Sequence, residues 1–96
     1  MGHIDLETME IIVHGRDLDF TLAKRLGEDL ACSIISNPML IAWFNGKEGE
    51  EHPQVPECQH KPGWLAYAEG HGARVRVNVN ENEYSFIFAD ASVTED

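Results

Sequence analysis

The sequence predicts an α+β two-layer sandwich: one amphipathic helix laid on a mixed, mostly antiparallel sheet of about five strands, in the order β-α-β-(long loop)-β-β-β. Three observations carry this expectation. One segment has apolar residues at helical spacing, several short segments are rich in β-branched and aromatic residues, and a long Pro- and Gly-containing stretch divides the chain.

The first strand is read at residues 10–14 (EIIVH), closed by Gly15, in a stretch that opens at Met9. Residues 1–8 are then a short upstream extension or a vector-derived remnant. Asp17 is the expected helix N-cap, with Asp19 complementing the helix dipole, and Leu18, Leu22, Ala23, Leu26 and Leu30 recur at three- and four-residue spacing behind it. Gly27 inside this helix costs roughly 1 kcal/mol relative to Ala, so the helix is weak there or something packs close. Ser36-Asn37-Pro38 cannot continue a helix, which places its end between Ala31 and Ser36. Residues 39–44 (MLIAWF) read as a buried strand ending at the Asn45-Gly46 turn signal. Residues 46–63 hold three prolines and three glycines and almost nothing apolar, and read as a long loop. Residues 64–69, 74–80 and 83–89 complete the sheet as an antiparallel meander, with Gly70-His71-Gly72 and Glu81-Asn82 as tight connections. In the middle one Val75, Val77 and Val79 face one way and Arg74, Arg76, Asn78 and Asn80 the other, so that this strand has one wet face. Tyr84, Phe86 and Phe88 join the valines against the helix. Residues 9–90 thus form a single domain, followed by an acidic tail at 91–96.

Composition narrows the function. The 96 residues carry a formal charge of −10, with 17 acidic and 7 basic side chains, which argues against nucleic acid and against an anionic membrane surface. Two cysteines, Cys32 and Cys58, allow at most one intramolecular disulfide, and a reducing cytoplasm is the expected compartment. No apolar run approaches the roughly 20 residues of a membrane span. Asp5, Glu7 and Glu10 interrupt the region where a signal peptide would be apolar.

The segments Ile11-Ile12-Val13-His14-Gly15-Arg16-Asp17-Leu18-Asp19, Leu40-Ile41-Ala42-Trp43-Phe44-Asn45-Gly46 and Lys61-Pro62-Gly63-Trp64-Leu65-Ala66-Tyr67-Ala68-Glu69 resemble those of a family of small, single-domain proteins from anaerobic bacteria that carries only a domain-of-unknown-function label. The resemblance covers most of the chain, implies a free-standing cytoplasmic bacterial domain, and supplies no activity and no catalytic residue.

Among the residues themselves, the loop gathers the metal-capable side chains His52, Cys58 and His60, beside Glu50, Glu51 and Glu57. Thiolate and imidazole suit zinc or another transition metal, but a second ligand pair at zinc-finger spacing is missing, and solvated loop residues are the bland alternative. His14, His71 and Cys32 could complete a site only if the fold brings them close. Cys32, near the helix C-terminus where the dipole disfavours a thiolate, reads as a buried spacer, and Cys58 as a loop thiol. No phosphate-binding glycine motif is present, and no flanking motif supports Cys58 with His52 or His60 as a nucleophile and base.

The strands at 39–44 and 64–69 are apolar on both faces. In the first, Leu40, Ala42 and Phe44 lie opposite Met39, Ile41 and Trp43; in the second, Trp64, Ala66 and Ala68 lie opposite Leu65 and Tyr67. One helix covers one face, so the second face needs the long loop, a second protomer in a homodimer, or a partner protein. The leading expectation is a small acidic cytoplasmic binding or interaction domain without catalytic activity or cofactor, acting through that second face and the Gly46 to Gly63 loop, with Trp43, Trp64 and Tyr67 as anchors. The rival is a metal-binding protein using His52, Cys58 and His60.

Overall fold

Val75, Val77 and Val79 alternate with Arg76 and Asn78, and a strand so patterned needs an apolar layer on one side only. A computed structural model, which describes residues 6–15, 17–56 and 61–91, supplies that layer from the first helix. The elements run β1 (Glu7–Ile11), α1 (Phe20–Cys32), β2 (Pro38–Asn45), β3 (Glu50–His52), α2 (Gly63–Glu69), β4 (Val75–Val79) and β5 (Tyr84–Asp90). They form a five-stranded sheet in the order β1-β4-β5-β2-β3. Strand β1 runs parallel to β4, and the other neighbours are antiparallel. The fold class and the mixed sheet are those the sequence predicts.

On one face α1 packs Ala23 and Ala31 against Val75, Val77, Val79, Tyr84, Phe86 and Phe88. Gly27 belongs to the same buried stripe, and a Cβ there would meet Phe86 Cδ2 at 3.4 Å. The helix is capped by Asp19, whose carboxylate accepts from Leu22 N at 2.8 Å, so Asp19 takes the role expected of Asp17. Leu18, just upstream, is buried, and its carbonyl receives Lys47 Nζ at 2.9 Å. A cap two residues later lets Leu18 leave the helix and close the end of the core. Cys32 is the last helical residue and is exposed, not a buried spacer, because the buried stripe runs through Ala23, Gly27 and Ala31.

The remaining differences lie where the apolar pattern has two solutions. Strand β1 begins at Glu7, so Glu7 and Thr8 belong to the sheet, and Leu6 packs on the second face; Ile12 to His14 lie beyond the strand. In β2 the register with β5 jumps from Leu40↔Phe88 to Ala42↔Ile87, leaving Ile41 as a bulge. The bulge resets the alternation: Leu40 and Trp43 pack against the α1 core, and Ala42 and Phe44 against the other face. The expected loop at 46–63 includes a tight turn and a short return strand. Asn45 Oδ1 accepts from Lys47 N at 3.1 Å and Glu48 N at 3.2 Å, Gly49 takes φ +70°, and β3 pairs back on β2.

The segment at 64–69, expected as a strand, is helix α2. Its buried side chains, Trp64 and Ala68, are four residues apart, the helical period, and Leu65, Ala66 and Ala68 are good helix formers. Pro62 precedes it and Gly70 ends it. Gly63 allows the approach of the incoming chain, since a Cβ there would lie 1.9 Å from the Val55 carbonyl oxygen. Helix α2 lies on the second face with Ala42, Ala73 and Ile87, so the architecture has a helix on each side of the sheet and not two layers with one helix. The β4–β5 hairpin is as expected; Asn80, Glu81 and Asn82 turn with φ of +51°, +57° and +72°.

Candidate functional site

The second face divides into two halves. Over β2 and β5, Trp64 stacks on Phe44 with ring centroids 5.7 Å apart and an interplanar angle of 11°, and Trp64, Ala68, Ala42 and Ile87 close an apolar cluster. Over β4 and β1 the floor is polar. The register sets Thr8 beside Arg76 and Glu10 beside Asn78, and because Met9 and Ile11 pack toward α1, Thr8 and Glu10 point to this second face.

These side chains form one network. Arg76 Nε donates to Asn78 Oδ1 at 2.9 Å and Arg76 Nη2 to Ser85 Oγ at 3.4 Å. Ser85 Oγ donates to Asn78 Oδ1 at 2.6 Å, and Asn78 Nδ2 donates to the exposed Glu10 carboxylate at 3.0 Å. Asn78 and Ser85 are buried, at 5% and 1% exposure, and Arg76 is half-buried with its guanidinium carbon 5.4 Å from the centre of the Trp64 ring. Burial pushes Arg76 below its ordinary pKa, and the charges of Glu10 and Glu69 oppose this. Glu28 lies within ion-pair distance of Lys24, Glu83 of Lys47 and Glu69 of Lys61, and among the described residues no carboxylate lies at that distance from Arg76.

The three expected anchors do not share a surface. Trp64 is 4% exposed and serves as the wall behind Arg76. Trp43 is half-buried on the α1 face, edge-on to Phe20 at 4.8 Å and stacked with His52 at 5.9 Å. Tyr67 is half-buried on α2, with the exposed His71 ring stacked on it at 3.9 Å and His71 Nδ1 2.7 Å from the Tyr67 carbonyl oxygen. Of the expected metal ligands, His52 is exposed on β3, and Cys58 and His60 lie outside the described residues. Among the described residues no three His, Cys, Asp or Glu side chains are grouped to hold a metal ion.

A concavity of about 270 Å³, wide open, lies between the end of β1 and the β4–β5 turn, lined by Ile12, Val13, His14, Asn80 and Glu81. Asn80 Oδ1 ties it together by accepting from Val13 N at 2.7 Å.

The Arg76 cluster was visible in the sequence only as the wet side of R-V-R-V-N-V. That an arginine and an asparagine on a central strand are held inside a network, and not merely solvated, needed Ser85 from β5 and Glu10 from β1.

Residues 6–88 match the model of a family described as a domain of unknown function, DUF5619. The crystal structure of a novel protein, AF1514, from Archeoglobus fulgidus DSM 4304 has the same fold, with a TM-score of 0.75, 23% identity, and 96% of this chain and 100% of that chain covered. That neighbour is archaeal. No curated protein matches the chain. Among the described residues, no helix is long and apolar enough to cross a membrane.

Proposed function

Because the chain belongs to the DUF5619 family, for which no activity is described, its role has to be read from its own surface, and we propose that it is a small cytoplasmic binding domain without catalytic activity that works through the open half of the sheet's second face. One observation carries this reading: among the described residues α2 packs over β2 and β5, while Thr8 and Glu10 on β1 stay exposed beside the half-buried Arg76. Converging polar groups against an apolar wall are what a recognition site needs. The cytoplasmic assignment rests on the low cysteine content. Of the sequence-expected anchors, Trp64 supports this surface from behind and Trp43 faces away from it.

The test is native mass spectrometry of untagged protein purified without chelator, compared with Thr8→Arg, which projects a bulky side chain into the open half from an exposed position. The expected result is a bound mass or second protomer on the wild-type chain that Thr8→Arg loses at an unchanged melting temperature. Retention by the variant, or a wild-type chain that carries nothing, would refute the reading.

A further inference from the structure

We propose that Arg76 receives the carboxylate of a small monoanionic organic acid, bound against the guanidinium in the open half of the second face. The inference rests on the reading of that face as the binding surface and names its ligand class.

Arg76 stands apart from the ion-paired lysines. Each of those has an acidic partner close by, whereas among the described residues Arg76 meets two neutral acceptors, Asn78 Oδ1 and Ser85 Oγ, and the carboxylate of Glu10 enters the network on the far side of the Asn78 amide. A desolvated charge without a direct counter-charge is costly, and such a group is held for a reason beyond packing. Its holders are themselves buried: Asn78 at 5%, Ser85 at 1% and Trp64 at 4% exposure. The orientation of the guanidinium is therefore set by the fold, and a ligand need not pay to order it. With Nε committed to Asn78 and one Nη2 hydrogen directed at Ser85, the Nη1 side has no acceptor among the described residues. That leaves the planar donor pair that a carboxylate matches with two parallel hydrogen bonds.

Charge selects within the anions. Glu10 and Glu69 both act electrostatically on Arg76, and the chain carries −10 overall. A dianion such as phosphate doubles its repulsion from these carboxylates as well as its attraction to Arg76, and with two carboxylates set against one guanidinium in a chain of charge −10 the second charge adds more repulsion than attraction.

The experiment is a titration of the 15N-labelled full chain with sodium butanoate at constant ionic strength, reading the Nε–H signals of the arginines and the indole N–H signals. The expected result is a saturable shift of Arg76 Nε–H and Trp64 Nε1–H, at least about tenfold weaker in Arg76→Lys, which keeps the charge and loses the fork. Arg25 and Arg74, both exposed, are internal comparators that need no variant to fold. Shifts that do not saturate, or that Arg25 and Arg74 share, would overturn the proposal, as would phosphate moving Arg76 more than butanoate. If butanoate leaves Arg76 still while Thr8→Arg abolishes a retained mass, the ligand class falls and the binding surface stands; if neither effect is seen, both fall.

Discussion

Asn78→Ala tests whether the polar network holds the sheet together or merely decorates it. The substitution removes one buried amide that accepts from Arg76 Nε at 2.9 Å and Ser85 Oγ at 2.6 Å and donates to Glu10 at 3.0 Å. Ser85 is 1% exposed, so its hydroxyl loses its acceptor where water is scarce, at about 1–3 kcal/mol. Arg76 is half-buried and recovers water in part, so its lost charged bond adds about 1 kcal/mol. The bond to the exposed Glu10 is replaced by water and contributes a few tenths. Together the expected loss is about 2–4 kcal/mol, a drop in melting temperature of roughly 10–25 °C for a domain of this size. Urea unfolding with an unchanged m-value is the assay, and hydrogen exchange should show β1 opening first, because Asn78 is the β4 side chain bonded to it through Glu10. Ser85→Ala should cost less alone and be far from additive with Asn78→Ala. A loss below about 1 kcal/mol would show that the network is wet and that its hydrogen bonds do not hold the β1 edge.

Gly27→Ala should stabilise the chain by about 0.5–1 kcal/mol, since the new methyl reaches Phe86 at 3.4 Å, ordinary contact, and the helix gains propensity; calorimetry showing a lower melting temperature would mean that the ring cannot give. Tyr84 has its pKa raised by burial first and then by Glu83, Asp19 and Glu48. The folded state thus holds this proton more tightly than the unfolded one, so the contribution is complete below about pH 10 and is lost as pH rises above it. Tyr84→Phe should flatten the fall in stability on the alkaline side in unfolding curves taken between about pH 9 and 11. Zinc titrated into chelator-stripped protein tests the loop at 46–63: tight binding that Cys58→Ser abolishes would support His52, Cys58 and His60 as ligands, and unchanged affinity would remove them.

The sequence by itself determined the α1 face of this protein. Val75, Val77 and Val79, the aromatic triplet Tyr84, Phe86 and Phe88, and the Leu- and Ala-bearing stripe of α1 each repeat at a single period over enough residues to have one solution, and the pattern names both the elements and the side they bury. Local turn chemistry was equally legible at Asn45-Gly46 and in the β4–β5 turn. Only the tertiary structure decided the second face. The segment at 64–69 is apolar on every side, so neither period excludes the other; the need to cover Ala42, Phe44 and Ile87, with Gly63 letting the chain approach Val55, makes it a helix. The bulge at Ile41 shifts side chains between faces without any sign in composition, because the sequence of a strand does not record the register of its partner. The Arg76 cluster belongs with these. Its members sit on β1, β4 and β5, far apart in the chain, and parallel pairing of β1 with β4 is a long-range choice that brings Glu10 to Asn78.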